Sequence, residues 1–301
     1  MSATTGMIRW GDQCARTGPW RTDASVAFLM PATDAPPPSS EFLGRCLGLL
    51  AERGFQSVVT GALAPEEQRG FLEAGFAVHE HLHLLLLDRS VELPPVPAGL
   101  PMRSAGRLRT AKALEVDAAA FSPFWRFDRA GLQEALAATP ERRFRVAIAK
   151  RGPVVGYAIC GAAAGRGFVQ RLAVAPPAQG HGTGRRLLLD GLHWLRRMNT
   201  YQVAVNTQMG NEAALALYRS VGFRDDPRGL CVLTANLSST GRPAERPPFR
   251  HLDAEQAGWS GQGGEGQGWA GQGWAGQGGA SQGWASEGGA SWRWAQDGGA
   301  I

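Results

Sequence analysis

Along the middle of the chain the hydrophobic and polar positions switch between two periods. Arg143–Ala149 and Val154–Cys160 are β-rich runs joined by Lys150-Arg151-Gly152-Pro153, whose turn residues predict a hairpin. Phe168–Val174 predicts a third strand, ended by Pro176-Pro177 because proline cannot donate to a ladder. Over Arg185–Met198 the period becomes helical. Leu188, Leu192 and Leu195 recur on one face, and Arg196 and Arg197 sit where the C-terminal end of a helix dipole favours cations. Tyr201–Val205 predicts a fourth strand. A second helix is expected from the N-cap Asn211 to Val221, with Gly222 ending it in a left-handed conformation. Ala214, Leu217, Tyr218 and Val221 share a stripe on it, so Tyr218 faces inward. Leu230–Leu237 is the closing strand, and Arg107–Ala138 supplies two helical stretches broken at Phe121-Ser122-Pro123. Together these make an α+β (α/β) domain over roughly residues 98–237.

The same order precedes residue 90: strand Ser25–Met30, helix Ser40–Gly54, strand Gln56–Thr60, helix Pro65–Ala74 and strand Ala77–Asp88. Two Gly-Phe pairs, Gly75-Phe76 and Gly222-Phe223, lie 147 residues apart, about one such domain, which points to an internal duplication with residues 1–92 as a half copy. A half copy has an open sheet edge, so cover from the second copy is expected.

Composition changes from Ser238 onward, where Gly, Gln, Ala, Ser and Trp replace the aliphatic residues. Gly258–Asp297 can be phased in fives, with six Trp from Trp259 to Trp294, too short and Gly-rich a unit to pack a face of its own. Residues 238–301 are therefore expected to be a disordered tail. The formal charge is +5; residues 241–301 hold four Arg against six Asp or Glu, which leaves the first 240 at +7. That excess suits an anionic small molecule, and without a clustered Lys/Arg stripe no nucleic-acid partner is expected. Cys14, Cys46, Cys160 and Cys231 are far apart and form no C-x-x-C pair, so neither a zinc site nor a disulfide framework is suggested and no metal is expected. Met1–Gly18 has no apolar run and no stretch approaches a membrane span, so a cytoplasmic protein without a membrane partner is the expectation.

The chemistry centres on the strand Phe168–Val174 and the loop Gln179-Gly180-His181-Gly182-Thr183-Gly184, which opens the helix at Arg185-Arg186. Glycines let backbone N–H groups approach a phosphate, and a helix N-terminus adds free donors and positive potential. A Walker loop needs Lys then Ser or Thr after its last glycine, and a dinucleotide fingerprint needs other glycine spacing; both fail here. Read as Gln/Arg-x-x-Gly-x-Gly/Ala, Gln179 to Gly184 fits every fixed position of the acetyl-CoA pyrophosphate loop of the GNAT N-acetyltransferase superfamily, which this stretch resembles. Asn211-x-x-Ala214-x-x-Leu217-Tyr218-x-x-x-Gly222-Phe223 resembles the superfamily's other recurrent motif. The resemblance spans about 140 residues, less than half the chain. It implies a mixed central sheet flanked by helices, an acetyl-CoA co-substrate and an amine acceptor on a small molecule or protein, attacked directly in a ternary complex. A homodimer is compatible with it.

The resemblance also implies roles. The strand Phe168–Val174 would splay from Tyr201–Val205, with backbone groups of Leu172, Ala173 and Val174 holding the pantetheine arm and acetyl carbonyl. Amides from Gly180, His181, Gly182, Thr183 and Gly184, flanked by Gln179 and Arg185, would hold the pyrophosphate. Asn211 would contact the coenzyme near its pantetheine end. Tyr218 matches the tyrosine that protonates the departing thiolate; a plain core tyrosine with a satisfied hydroxyl is its other reading. Many relatives carry a Glu base early on the third strand, whereas Phe168, Gln170 and Arg171 stand in that region here. Glu115, Asp117, Asp128 and His181 are the other candidates, and the base stays unassigned. Phe121–Asp128 borders the acceptor side, either as an aromatic wall with Asp128 for an ammonium or as core aromatics around a helix break. In the first copy the loop Pro31–Ser39 has four prolines and no glycine, and Phe71 stands at the position of Tyr218. That copy is expected to be a packing or substrate-shaping module of a tandem GNAT protein. The rival to catalysis is a non-catalytic acyl-CoA-binding protein.

Overall fold

Strand order in space departs from strand order in the chain, and the departure organises the molecule. The computed structural model describes residues 6–21, 23–32, 35–150 and 152–237. In chain order the N-terminal run is β1 (Gly6–Trp10), β2 (Gln13–Trp20), β3 (Asp23–Pro31), α1 (Ser40–Glu52), β4 (Ser57–Leu63), α2 (Pro65–Glu73) and β5 (Ala77–Asp88). The C-terminal run is β6 (Met102–Ser104), α3 (Arg107–Ala120), α4 (Arg129–Ala137), β7 (Glu141–Ile148), β8 (Val154–Ala163), β9 (Arg166–Val174), α5 (Thr183–Arg197), β10 (Gln202–Gln208), α6 (Glu212–Arg219) and β11 (Arg224–Asn236). The strands form one mixed sheet in the order β1-β2-β3-β4-β11-β5-β10-β9-β8-β7-β6.

Each run thus lends its last strand to the other. β5 pairs antiparallel with β10 from Gln202↔Asp88 to Gln208↔Leu82, and β11 pairs antiparallel with β4 from Cys231↔Leu63 to Asn236↔Ser57. The two exchanged strands pair with each other at the centre of the sheet. The edge of β4 expected to need cover is covered by β11, at the level of backbone hydrogen bonding. Three strands were not foreseen: the three-residue β6 at one edge of the sheet and, at the other, β1 and β2, a hairpin that fills out the N-terminal run beyond a half copy. Their Arg, Gln and Gly residues interrupt the apolar pattern, because the hairpin lies at the sheet edge; Gly11-Asp12, with Gly11 at φ 60°, was the readable turn signal. The tail and its repeat lie outside the described residues.

Helices cover both faces of the sheet, α1, α5 and α6 on one and α3 and α4 on the other. α1 buries Phe42, Leu43, Cys46, Leu47 and Leu50 at helical spacing. α5 buries Leu188, Leu189, Leu192 and Leu195, and α6 adds Leu215 and Tyr218. α3 and α4 cover the strands of the C-terminal run with Ala113, Val116 and Leu132, against Val146, Tyr157 and Ile159. The connection 89–101 is tied down on α5: Arg186 donates to the carbonyl of Pro97 at 2.8 Å, and the His193 ring lies 2.8 Å from the carbonyl oxygen of Pro94.

A buried ion pair fixes α3 to the sheet. Asp117 is fully buried and accepts hydrogen bonds from Nε and Nη2 of Arg171 on β9, at 2.8 and 2.9 Å, from the amide of Phe127 at 2.6 Å and from the hydroxyl of Tyr157 at 2.5 Å. Arg171 donates further to the carbonyl of Trp125 and lies 3.5 Å over the ring of Phe121. Every lone pair that burial would strand has a donor, which is what makes a buried pair tolerable. Beside it, Arg21 donates to the carbonyls of Phe124 and Arg126; burial first, then the neighbouring Arg171, lowers its pKa to about 10.

Two outcomes follow. Because strands are exchanged, a chain of residues 1–240 should melt in one cooperative transition by calorimetry, and neither residues 1–92 nor 98–237 alone should show one. Asp117→Ala leaves Arg171 buried without its counter-ion and should cost about 3–5 kcal/mol by urea denaturation.

Candidate active site

The central opening arises where two parallel strands stop pairing. β9 and β10 are in register only at Arg166↔Gln202, Gly167↔Val203 and Phe168↔Ala204. Beyond these residues they diverge. On its other side β9 stays paired with β8, and there the register slips between Ile159↔Arg171 and Cys160↔Val169, leaving Gln170 as an extra residue. Such a bulge bends the strand that carries it, here in the segment that leaves β10. In an antiparallel ladder alternate residues aim their amide and carbonyl away from the partner. From Val169 to Val174 those outward groups face the gap.

The gap is a cleft of about 870 Å³, lined on one side by Val169–Val174 and on the other by Val205, Asn206, Thr207 and Gln208. That volume suits a small-molecule ligand. Its upper end is the glycine loop. Gly180 and Gly182 have φ of 73° and 76°, backbone that side chains with a Cβ avoid. Gly182 is the N-cap of α5 and has no side chain to satisfy the first turn. The helix closes only with Arg186 N–H to the carbonyl of Gly182, so the amides of Thr183, Gly184 and Arg185 have no acceptor within the helix. Free donors and the positive end of a fifteen-residue helix make a site for an anion. The loop is braced from below, Gln179 Nε2 donating to the carbonyl of Val174 at 2.9 Å.

Of the residues singled out by sequence, Leu172, Ala173, Val174, Gln179, Gly180, Gly182, Gly184, Arg185, Asn211 and Tyr218 line the cleft. Two do not. The His181 side chain is exposed, its Nδ1 lying 2.6 Å from the carbonyl oxygen of Gln179 in its own loop. The Thr183 side chain is buried against Gly156 and not turned to the cleft; only its amide belongs to the anion site. Asn211 caps α6, its Oδ1 accepting from Ala214 N at 3.2 Å, and its amide nitrogen has no partner among the described residues. Arg185 holds Ser220 Oγ at 2.6 Å.

Tyr218 is 5% exposed, packed on Phe223, and its hydroxyl has no hydrogen-bond partner among the described residues. The plain-core reading required a satisfied hydroxyl, and this one lacks it. Burial pushes the phenol above the ordinary tyrosine range, so it holds its proton at neutral pH and is available as a donor.

Phe121 and Trp125 also wall the cleft. Phe124 is core instead, against Trp20, His79 and Trp125. Asp128 caps α4 by accepting from Gly131 N at 2.7 Å and does not reach the cleft. Asp117 is consumed by Arg171, and Glu115 is an exposed partner of Lys112. The carboxylate that does line the cleft is Glu80, on β5. Sequence reasoning missed it because it lies in the N-terminal run, and only the strand exchange brings it there.

The N-terminal run has an equivalent opening that is filled. β3 and β4 also pair over just three residues, Val26↔Ser57 to Phe28↔Val59. The N-terminus of α1 is satisfied internally by Ser39, whose Oγ accepts from Phe42 N. The carbonyl of Pro38 lies so close to Gly70 of α2 that a Cβ there would sit 2.0 Å from its oxygen. The proline loop therefore closes onto α2 where the other loop stands open.

Among the described residues no group of three His, Cys, Asp or Glu side chains could hold a metal ion, and no helix is long and apolar enough to cross a membrane. Comparison with known proteins gives a consistent picture. Residues 111–223 match the model of the acetyltransferase (GNAT) family. The mycothiol acetyltransferase of Renibacterium salmoninarum is 29% identical over 194 residues, 58% of this chain and 57% of that protein. The N-alpha-acetyltransferase RimI of Mycobacterium tuberculosis is 46% identical over 56 residues, 19% of this chain and 34% of that protein. The chain thus spans at most somewhat over half the length of these curated relatives. Among solved structures, a tandem GNAT protein from the clavulanic acid biosynthesis pathway superposes with a TM-score of 0.59, at 16% identity over 79% of this chain and 84% of that one. With family model, fold and cleft in agreement, the chain carries, in residues 111–223, an acetyltransferase domain of the GNAT family.

Proposed function

We propose that this protein transfers the acetyl group of acetyl-CoA to an amine of a small molecule or protein, by direct attack within a ternary complex. The observation that carries the reading is the meeting, in one cleft, of an unpaired strand edge, a helix N-terminus without a cap and the unpartnered hydroxyl of Tyr218. The residues fit the coenzyme: amides at 183–185 suit a pyrophosphate, and the open edge of β9 suits the amide groups of a pantetheine arm. Acetyl-CoA supplies an activated thioester. Transfer forms a C–N bond, breaks the C–S bond, removes one proton from nitrogen and gives one to sulfur. Tyr218 is assigned the last of these. Its raised pKa is no obstacle, because the same dry surroundings raise the proton affinity of a departing thiolate. The four cysteines are free thiols, which suits a cytoplasmic setting.

Two variants test the reading. Gly184→Glu puts a carboxylate at the anion site without strain, since an added Cβ there meets Leu217 and Val174 at 3.5 and 3.6 Å, ordinary contact. It should abolish acetyl-CoA binding in a calorimetric titration while leaving the melting transition in place. Tyr218→Phe should keep coenzyme affinity and lose about 100-fold or more in kcat with amine acceptors. In the parent, no alkaline fall in rate attributable to Tyr218 should appear below the ordinary tyrosine pKa of about 10. Parent protein that binds acetyl-CoA but acetylates no amine would instead be a coenzyme-binding protein.

A further inference from the structure

Glu80 stands out among the acidic groups of the described chain. It enters the cleft from β5, beside Trp125 and Gln208. Its two oxygens each receive one neutral donor: Oε2 from Trp125 Nε1 at 3.0 Å and Oε1 from Gln208 Nε2 at 2.8 Å. These bonds fix the carboxylate in place without neutralising it. No Lys, Arg or His is paired with Glu80 among the described residues, whereas Asp117, Asp190, Asp225 and Asp226 each hold an arginine. A carboxylate oriented by two neutral groups and open to a cleft has lone pairs left for a cation. The adjoining surface is aromatic. Trp125 offers a ring face that favours an ammonium close by, and Phe121, whose ring already carries Arg171 at 3.5 Å, adds apolar surface for the body behind it.

We infer that Glu80 is the specificity-determining carboxylate of the acceptor site, receiving the acceptor as a primary ammonium, which gives one proton to solvent water in the open cleft before the neutral amine attacks, with its aromatic or apolar body on Phe121 and Trp125. This assignment rests on the acetyl-transfer reading above. It gives the N-terminal run a direct part in the site: the exchanged strand β5 delivers the acceptor's anchor, while the C-terminal run holds the coenzyme. Trp125 bridges the two, because its ring walls the cleft and its N–H fixes Glu80.

The test uses the full chain, Glu80→Gln and Glu80→Asp, with phenethylamine as acceptor and phenethyl alcohol as an uncharged competitor. Glu80→Gln should raise the KM for phenethylamine about tenfold or more, the size of a lost charge-assisted hydrogen bond, and leave phenethyl alcohol inhibition within about twofold. Glu80→Asp, which keeps the charge on a shorter arm, should fall between. If Glu80→Gln melts early, Glu80→Asp carries the comparison. An unchanged KM, an equal loss for amine and alcohol, or a parent that acetylates other amines but not phenethylamine overturns the assignment. Calorimetry on the same samples separates the two readings: acetyl-CoA affinity intact in every variant leaves only Glu80 in question, whereas a parent that does not bind acetyl-CoA removes the acetyl-transfer reading itself.

Discussion

The antiparallel pairing of β5 with β11 is the constraint on which the rest of this structure depends. These two strands sit at the middle of the sheet, yet each is the last strand of its own run. Hydrogen bonds in a ladder are obligatory for buried backbone, so once β11 lies between β4 and β5, β5 must find its second partner in β10. The exchange follows as a geometric necessity. It makes two runs of similar order into one folding unit with a continuous sheet and a shared core, in which Leu82, Leu84 and Phe28 of the first run pack in one cluster with Phe168, Ala204 and Leu230 of the second.

Against this continuity, the cleft is a planned interruption. Pairing between β9 and β10 stops after three residues, the bulge at Gln170 turns the strand away, and Gly182 withholds the side chain that would cap α5. Each of these leaves backbone donors or acceptors that a ligand can satisfy. In the N-terminal run the same interruption begins and is then repaired, by Ser39 at the head of α1 and by Pro38 against Gly70. The difference between an open site and a filled one therefore comes down to a few residues in one loop. The Asp117–Arg171 pair holds the remaining wall, fixing β9, α3 and the Phe121–Phe127 turn together so that Phe121 and Trp125 keep their place against β9.

Much of this was legible in the amino-acid sequence, for reasons that are local. The helices α1, α2, α5 and α6 and the strands between them announce themselves by period, by Asn211 and the glycines at their ends, and by proline. The anion loop is equally local, since its positive-φ glycines and the helix they open are consecutive. What could not be read is what depends on pairing at long range. Nothing in Ala77–Asp88 says that it joins β10 instead of β4, and so Glu80 looks like a residue of a spent copy. Asp117 was weighed as a base because a sequence does not reveal that Arg171, 54 residues on, occupies it. The β1–β2 hairpin escaped because edge strands tolerate Gly, Arg and Pro, which blur a period-two pattern.

The exchange of last strands also sets a schedule for synthesis. β5 ends at Asp88 and β11 ends at Asn236, so roughly 150 residues must be made after the first run is complete before the sheet can close, on the order of ten seconds or more at ordinary translation speeds. Throughout that interval β4 and β5 emerge from the ribosome with bare hydrogen-bonding edges and the apolar residues Val58, Val59, Leu84 and Leu85, all buried in the finished molecule. The nascent chain is thus most adhesive midway through its own manufacture, until β11 arrives to lie between β4 and β5.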